Sequence, residues 1–177
     1  MLSLQDVKDA QARIAPYVVR TPLLRIPALD APLGCQVYLK FEGFQVMGAF
    51  TIRGAMNKAL SLTPQQRSHG LVCASSGNHA QGVAYAAQAA GVAATIVMPT
   101  TTPLVKVNNT KDYGANVVLH GEVFDDAAEL AAQLAEEQGL TYVHPFNDLT
   151  LATGQGTIAY EIFQDLPDVD IILVPIG

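Results

Sequence analysis

The sequence predicts an open, doubly wound parallel α/β sheet. Three observations predict it. Short β-rich runs alternate with longer stretches of helical apolar periodicity. The repeated order strand, helix, strand calls for parallel pairing through right-handed crossovers. No tandem repeat, linker or low-complexity tract interrupts the alternation.

The opening stretch MLSLQDVKDAQARI is amphipathic and charged, unlike a secretion signal. Residues 36–41 form the first expected strand, broken by Gly43 and Gly48, and a helix begins near Ala49 or Thr51 and runs through 53–60. Strands are then expected at 70–74, 94–98, 116–120 and 141–143, with helices at 80–90, 103–113, 124–138 and 151–163 between and after them. The 124–138 helix is the clearest, with Asp125 and Asp126 at the positive end of its dipole and Gly139 at its stop. Residues 171–175 read as a buried strand entering a glycine turn at Gly177, where ligand loops of such sheets begin.

Half of the 177 residues are apolar and 15% are charged, enough to bury a sizeable core, and no apolar run reaches the length of a membrane span. The net charge of −6 argues against a general nucleic-acid binder. Cys35 and Cys73 lie far apart beside apolar neighbours and read as buried, reduced thiols rather than a disulfide or a nucleophile. A cytoplasmic protein fits these features.

The strongest local signal is Cys73-Ala-Ser-Ser-Gly-Asn-His-Ala-Gln-Gly82, which follows an expected strand and opens an expected helix. Free N–H groups at such a start can hold a carboxylate or phosphate, with Gly77 admitting the ligand and Ser75, Ser76 and Asn78 adding donors. The alternative is that Ser76 or Asn78 merely caps the helix. Arg53, taken alone, reads as a surface arginine. Thr153-Gly-Gln-Gly-Thr157 is a weak signal that tight packing explains equally well. His69, His79, His120 and His144 have no metal-ligand spacing, so no metal site is expected.

Six segments together carry a family resemblance: Thr21-Pro-Leu, Lys40-Phe-Glu through Arg53-Gly-Ala55, Ser75-Ser-Gly-Asn-His79, Met98-Pro, Tyr113-Gly-Ala115, and His144-Pro-Phe through Gly154-Gln-Gly-Thr157. In this order they resemble the amino-terminal half of fold-type II pyridoxal-phosphate enzymes, the threonine/serine dehydratase and serine racemase branch. The resemblance implies a tryptophan-synthase-beta-like fold. Residues 1–69 and 148–177 would belong to a partial large, pyridoxal-phosphate-binding domain, and 70–147 would form a small mobile domain. It implies α,β-elimination of L-threonine or L-serine to a 2-oxo acid and ammonia, with serine racemisation left open by Ser76.

The same resemblance implies roles for residues. Ser75, Ser76, Gly77, Asn78 and His79 would hold the substrate carboxylate. Ser76 would be an acid/base. Phe50, Asn78 and Gly177 would contact the cofactor.

Two departures stand out. Where the family has its Schiff-base lysine this chain has Thr51, and of the glycine-rich phosphate loop it has only Gly177. A threonine cannot form an imine and is too weak a base to remove a Cα proton. Lys58, two helical turns on, is a poor substitute. The expectation is therefore a catalytically impaired relative that does not retain pyridoxal 5'-phosphate, or a non-catalytic module that binds amino acids or a partner, as a homodimer or with a complementing chain.

Overall fold

The computed structural model describes residues 2–175. A four-stranded parallel sheet of β3 (Leu71–Ala74), β4 (Ala94–Met98), β5 (Asn116–Leu119) and β6 (Thr141–Tyr142) runs in the order β5-β4-β3-β6. Ahead of it, β1 (Leu23–Arg25) and β2 (Tyr38–Lys40) pair antiparallel.

Alternation along β3 and β4 sorts the core into two faces. Leu71, Cys73, Ile96 and Met98 face α5 (Asn78–Ala90) and α6 (Leu104–Asp112), whereas Val72, Ala74 and Val97 face Ala127 and Ala131 of α7 (Phe124–Gln138). The sheet is thus doubly wound as expected. β4 and α7 have the expected bounds, and Asp126 accepts from the N–H groups of Glu122 and Val123 at 2.8 and 3.2 Å. Those bonds hold its carboxyl below the usual range.

A second layer of helices stands beside the sheet. α3 (Thr51–Leu60) packs between α5 and α8 (Leu149–Asp165), and α1 (Leu4–Ile14) lies on α3 and α8. α1 begins with a capping box between Ser3 and Asp6. α2 (Pro27–Leu33) and α4 (Pro64–His69) are short and bury no side chain of their own.

α3 and α8 cross at a pair of glycines. A Cβ on Gly154 would lie 2.6 Å from the oxygen of Arg53 and from the Cα of Gly54, and one on Gly54 would lie 2.6 Å from the oxygen of Leu151. Gln155 bridges the crossing, its Oε1 accepting from the N–H of Gly54 at 3.0 Å. The Thr153-Gly-Gln-Gly-Thr157 motif therefore lies inside a helix, and the tight packing it serves is helix on helix.

Two expectations are corrected. Residues 171–175 form no strand; Ile171, Leu173 and Val174 are exposed, Leu173 to 90%, because no neighbouring strand pairs with them among the described residues. Cys35 is exposed, in the turn after the left-handed Gly34 that ends α2, while Cys73 is buried in β3. Burial alone pushes the Cys73 thiol far above its ordinary value.

Candidate functional site

The 75–79 segment begins where β3 ends. The N–H of Ser75 still pairs with the oxygen of Val97, and α5 then starts at Asn78 with Gly77 as its N-cap. No side chain caps this start, so neither Ser76 nor Asn78 takes the capping role that was the alternative. Ser75 instead accepts the N–H of Gly77 at 3.1 Å. The first-turn amides of Asn78, His79 and Ala80 have no partner one turn back, and a Cβ on Gly77 would meet nothing within 4 Å. At Gly77 the start is open.

Its location follows from the topology. β4 and β5 lie to one side of β3, and β6 lies to the other. The order of winding therefore reverses between β3 and β6, which puts the switch point of the parallel sheet at these two strands. His79 ties α5 to the chain after β6: its Nε2 lies 3.0 Å from the oxygen of Val143. Burial pushes the imidazole pKa down, against the opposing effect of this bond, so the ring is neutral and Nε2–H is the donor. The Nε2–H of His79 is thereby committed to the fold, and the main-chain N–H of His79 is left for an anionic ligand.

Thr51 is the first residue of α3, and its Oγ1 donates to the main-chain oxygen of Asn78 at 3.1 Å. α3 also lacks a side-chain cap. Two uncapped helix starts thus meet at this contact, and both dipoles place positive potential there. Phe50, the residue before, is 45% exposed, Ser76 is half-buried and Asn78 is exposed. Gly177 lies outside the described residues.

The two lysines nearest Thr51 in sequence are engaged elsewhere. Lys58 pairs with Asp148 at 2.7 Å, while Asp148 also caps α8 by accepting from Thr150 and Leu151. Lys40 pairs with Glu161 at 2.7 Å.

Arg53 is the main surprise. It is not at the surface but 0% exposed. Its Nε and Nη2 donate to Glu42 at 2.9 and 2.8 Å, its Nη1 and Nη2 donate to Glu161 at 2.7 and 3.0 Å, and further bonds reach Thr157 Oγ1 and the oxygen of Val19. Lys40 closes the cluster through Glu161 and the oxygen of Thr21, whose own hydroxyl donates to Glu42. Burial opposes ionisation of Glu42, but the bonds from Arg53 and Thr21 outweigh it and hold its carboxyl below the usual range. Burial opposes the charge on Arg53 too, and both carboxylates restore it, so the guanidinium pKa ends raised. The sequence signal was two acids and two bases in otherwise apolar surroundings, which needed the fold to be joined.

A cleft of about 340 Å³ lies elsewhere, between α1 and α8, lined by Lys8, Gln11, Ile14, Val18, Arg20 and Glu161. Of its polar walls, Arg20 is paired with Asp165 and Glu161 with Arg53. No group of three or more His, Cys, Asp or Glu among the described residues is placed to hold a metal.

A parallel sheet with free helix starts at its switch point is the architecture of an open α/β ligand-binding protein. Comparison with known proteins narrows the class. A family model described as pyridoxal-phosphate dependent enzyme matches residues 14–177. The chain is 49% identical over 177 residues to an L-threonine ammonia-lyase of Thermotoga maritima, covering 100% of this chain and 44% of that protein. Maize serine racemase superposes with a TM-score of 0.90 at 40% identity, covering 95% of this chain and 51% of that one. The processed form of threonine deaminase isoform 2 from Solanum lycopersicum gives 0.88 at 40% identity, covering 93% and 46%. The chain belongs to the pyridoxal-phosphate dependent enzyme family. It spans about half the length of these relatives.

Proposed function

We propose that this chain is a threonine/serine ammonia-lyase relative that receives the carboxylate of L-serine or L-threonine at the start of α5 but does not itself carry out the elimination. One observation carries the reading: the position facing the α5 start is occupied by a hydroxyl, that of Thr51, bonded to the oxygen of Asn78. Pyridoxal phosphate supplies an electron sink when it is bound through an amine. The donor set here does not fit that group, since Thr51 offers no amine and Lys40 and Lys58 are held in ion pairs with Glu161 and Asp148. We therefore take the cofactor not to be retained by this chain.

The carboxylate half of the reading is supported by the uncapped start of α5, its open approach at Gly77 and the side chains of Ser75, Ser76 and Asn78. Phe50 would flank the ligand. We further take residues 70–147 as a small mobile unit and 1–69 with 148–177 as part of a larger one. A second copy or a complementing chain would cover the apolar side chains of Ile171, Leu173 and Val174. No helix among the described residues is long and apolar enough to cross a membrane, and with Cys35 and Cys73 both free we assign the chain to the cytoplasm.

The test has two arms. Incubation with pyridoxal phosphate, borohydride reduction and mass spectrometry is expected to give no adduct on the 40–60 segment, and neither threonine nor serine is expected to release ammonia. A reduced adduct there, or steady formation of a 2-oxo acid, would overturn the inactive reading. Calorimetry with serine and threonine tests the receptor, and no heat at millimolar ligand would discard it.

A further inference from the structure

We propose that Arg53 is a positioning residue for the candidate site: gripped by Glu42 and Glu161, it sets the first turn of α3 so that position 51 meets the first turn of α5. Two residues apart on a helix is about 200° of rotation, so the two side chains leave α3 on nearly opposite sides. Thr51 reaches Asn78, and Arg53 reaches Glu42, Glu161, Thr157 and the main chain of Val19. A guanidinium is a rigid planar fork whose N–H directions are fixed, so acceptors from separate segments can all be met in one orientation of the helix only.

The chain before Thr51 is pinned by the same cluster. Glu42 is held by Arg53 and Thr21, and the buried side chain of Gln45 exchanges bonds with both main-chain groups of Val19, at 2.7 and 2.8 Å. Position 51 is thus fixed from both directions in sequence. The proposal rests on reading the two helix starts as the amino-acid site, but its test does not require a bound amino acid.

A cysteine serves as the reporter. In a Cys35→Ala background, the thiol of a Thr51→Cys variant lies between two helix starts and should ionise below the ordinary thiol range. Its alkylation rate by iodoacetamide is measured against pH. Adding Arg53→Lys keeps the charge and removes the fork; it should slow alkylation at neutral pH roughly threefold or more and move the profile toward that of a free thiol. Ile96→Val, a mild core change in β4, should leave the profile in place although it also lowers stability.

An Arg53→Lys profile that overlays its parent overturns the proposal. So does a parent profile already that of a free thiol, or an Ile96→Val shift equal to that of Arg53→Lys. Should Arg53→Lys fail to fold by circular dichroism, Glu42→Gln takes its place with the same expectation. Serine calorimetry on the unsubstituted chain separates the two ideas. Silence there sinks the receptor and leaves the thiol result standing, whereas normal heat with an unmoved thiol profile sinks Arg53 alone.

Discussion

The hydroxyl of Thr51 and the main-chain oxygen of Asn78 lie 3.1 Å apart, joining the first residues of α3 and α5. Thr51→Val removes the donor and keeps nearly the same shape. A neutral hydrogen bond of this kind contributes about 0.5–1.5 kcal/mol. The urea midpoint of the variant should fall by an amount in that range, and the amide resonances of Asn78 and Gly82 should move. An unchanged midpoint and spectrum would mean that the contact does not persist in solution.

The buried cluster predicts a much larger loss. Arg53→Met leaves Glu42 and Glu161 facing each other without their shared cation, and breaking one side of a buried pair costs about 3–5 kcal/mol. Arg20 pairs with Asp165 at the surface, with side chains 47% and 36% exposed. Arg20→Ala should therefore stay within about 1 kcal/mol of the parent. Equal effects in denaturant titrations would contradict the assignment of the first cluster to the interior.

The two glycines of the α8 motif should behave oppositely. Gly154→Ala would drive a Cβ to 2.6 Å from main-chain atoms of α3, forcing the helices apart. Such overpacking costs about 1–3 kcal/mol or more. A Cβ on Gly156 meets only the side chain of Val7, at 3.3 Å, so Gly156→Ala should be near neutral or gain up to about 1 kcal/mol of helix propensity. Thermal unfolding of the pair decides it.

Stability should decline at both ends of the pH scale for opposite reasons. Glu42 has a depressed folded pKa, so its contribution is present above the unfolded carboxylate range and is lost as pH falls through the folded value. Cys73 has a raised one, so its contribution is full below the unfolded thiol value of 9.0 and declines as pH rises above it. Denaturant midpoints across pH should show both limbs, and Cys73→Ala should flatten the alkaline one while lowering the plateau. A wild-type alkaline limb that survives in Cys73→Ala would locate the titration elsewhere.

What could be read beforehand follows physical lines. β4 and α7 announced themselves because β4 is apolar on both of its faces and α7 carries one apolar stripe between acidic residues at its start and Gly139 at its stop. α4 did not, although Thr63 and Gln66 form a capping box, because a six-residue helix that buries nothing leaves no periodicity. The apolar run at 171–175 reads as a strand because apolar β-rich composition resembles a buried strand whether or not a neighbour is present. The meeting of Thr51 with Asn78 and the burial of Arg53 depend on partners 27 and 108 residues away, and no local pattern encodes such distances.

The cluster at Arg53 holds two acids and two bases that cancel one another inside the molecule. Dissolved ions weaken attractions between groups they can surround, and they cannot surround these. A brine that dissolves the surface pairs of Arg20 with Asp165 and Arg25 with Asp30 should leave the interior cross-link intact. The seam between α3 and α8 should therefore keep its shape at ionic strengths where the molecule's outer electrostatics have vanished.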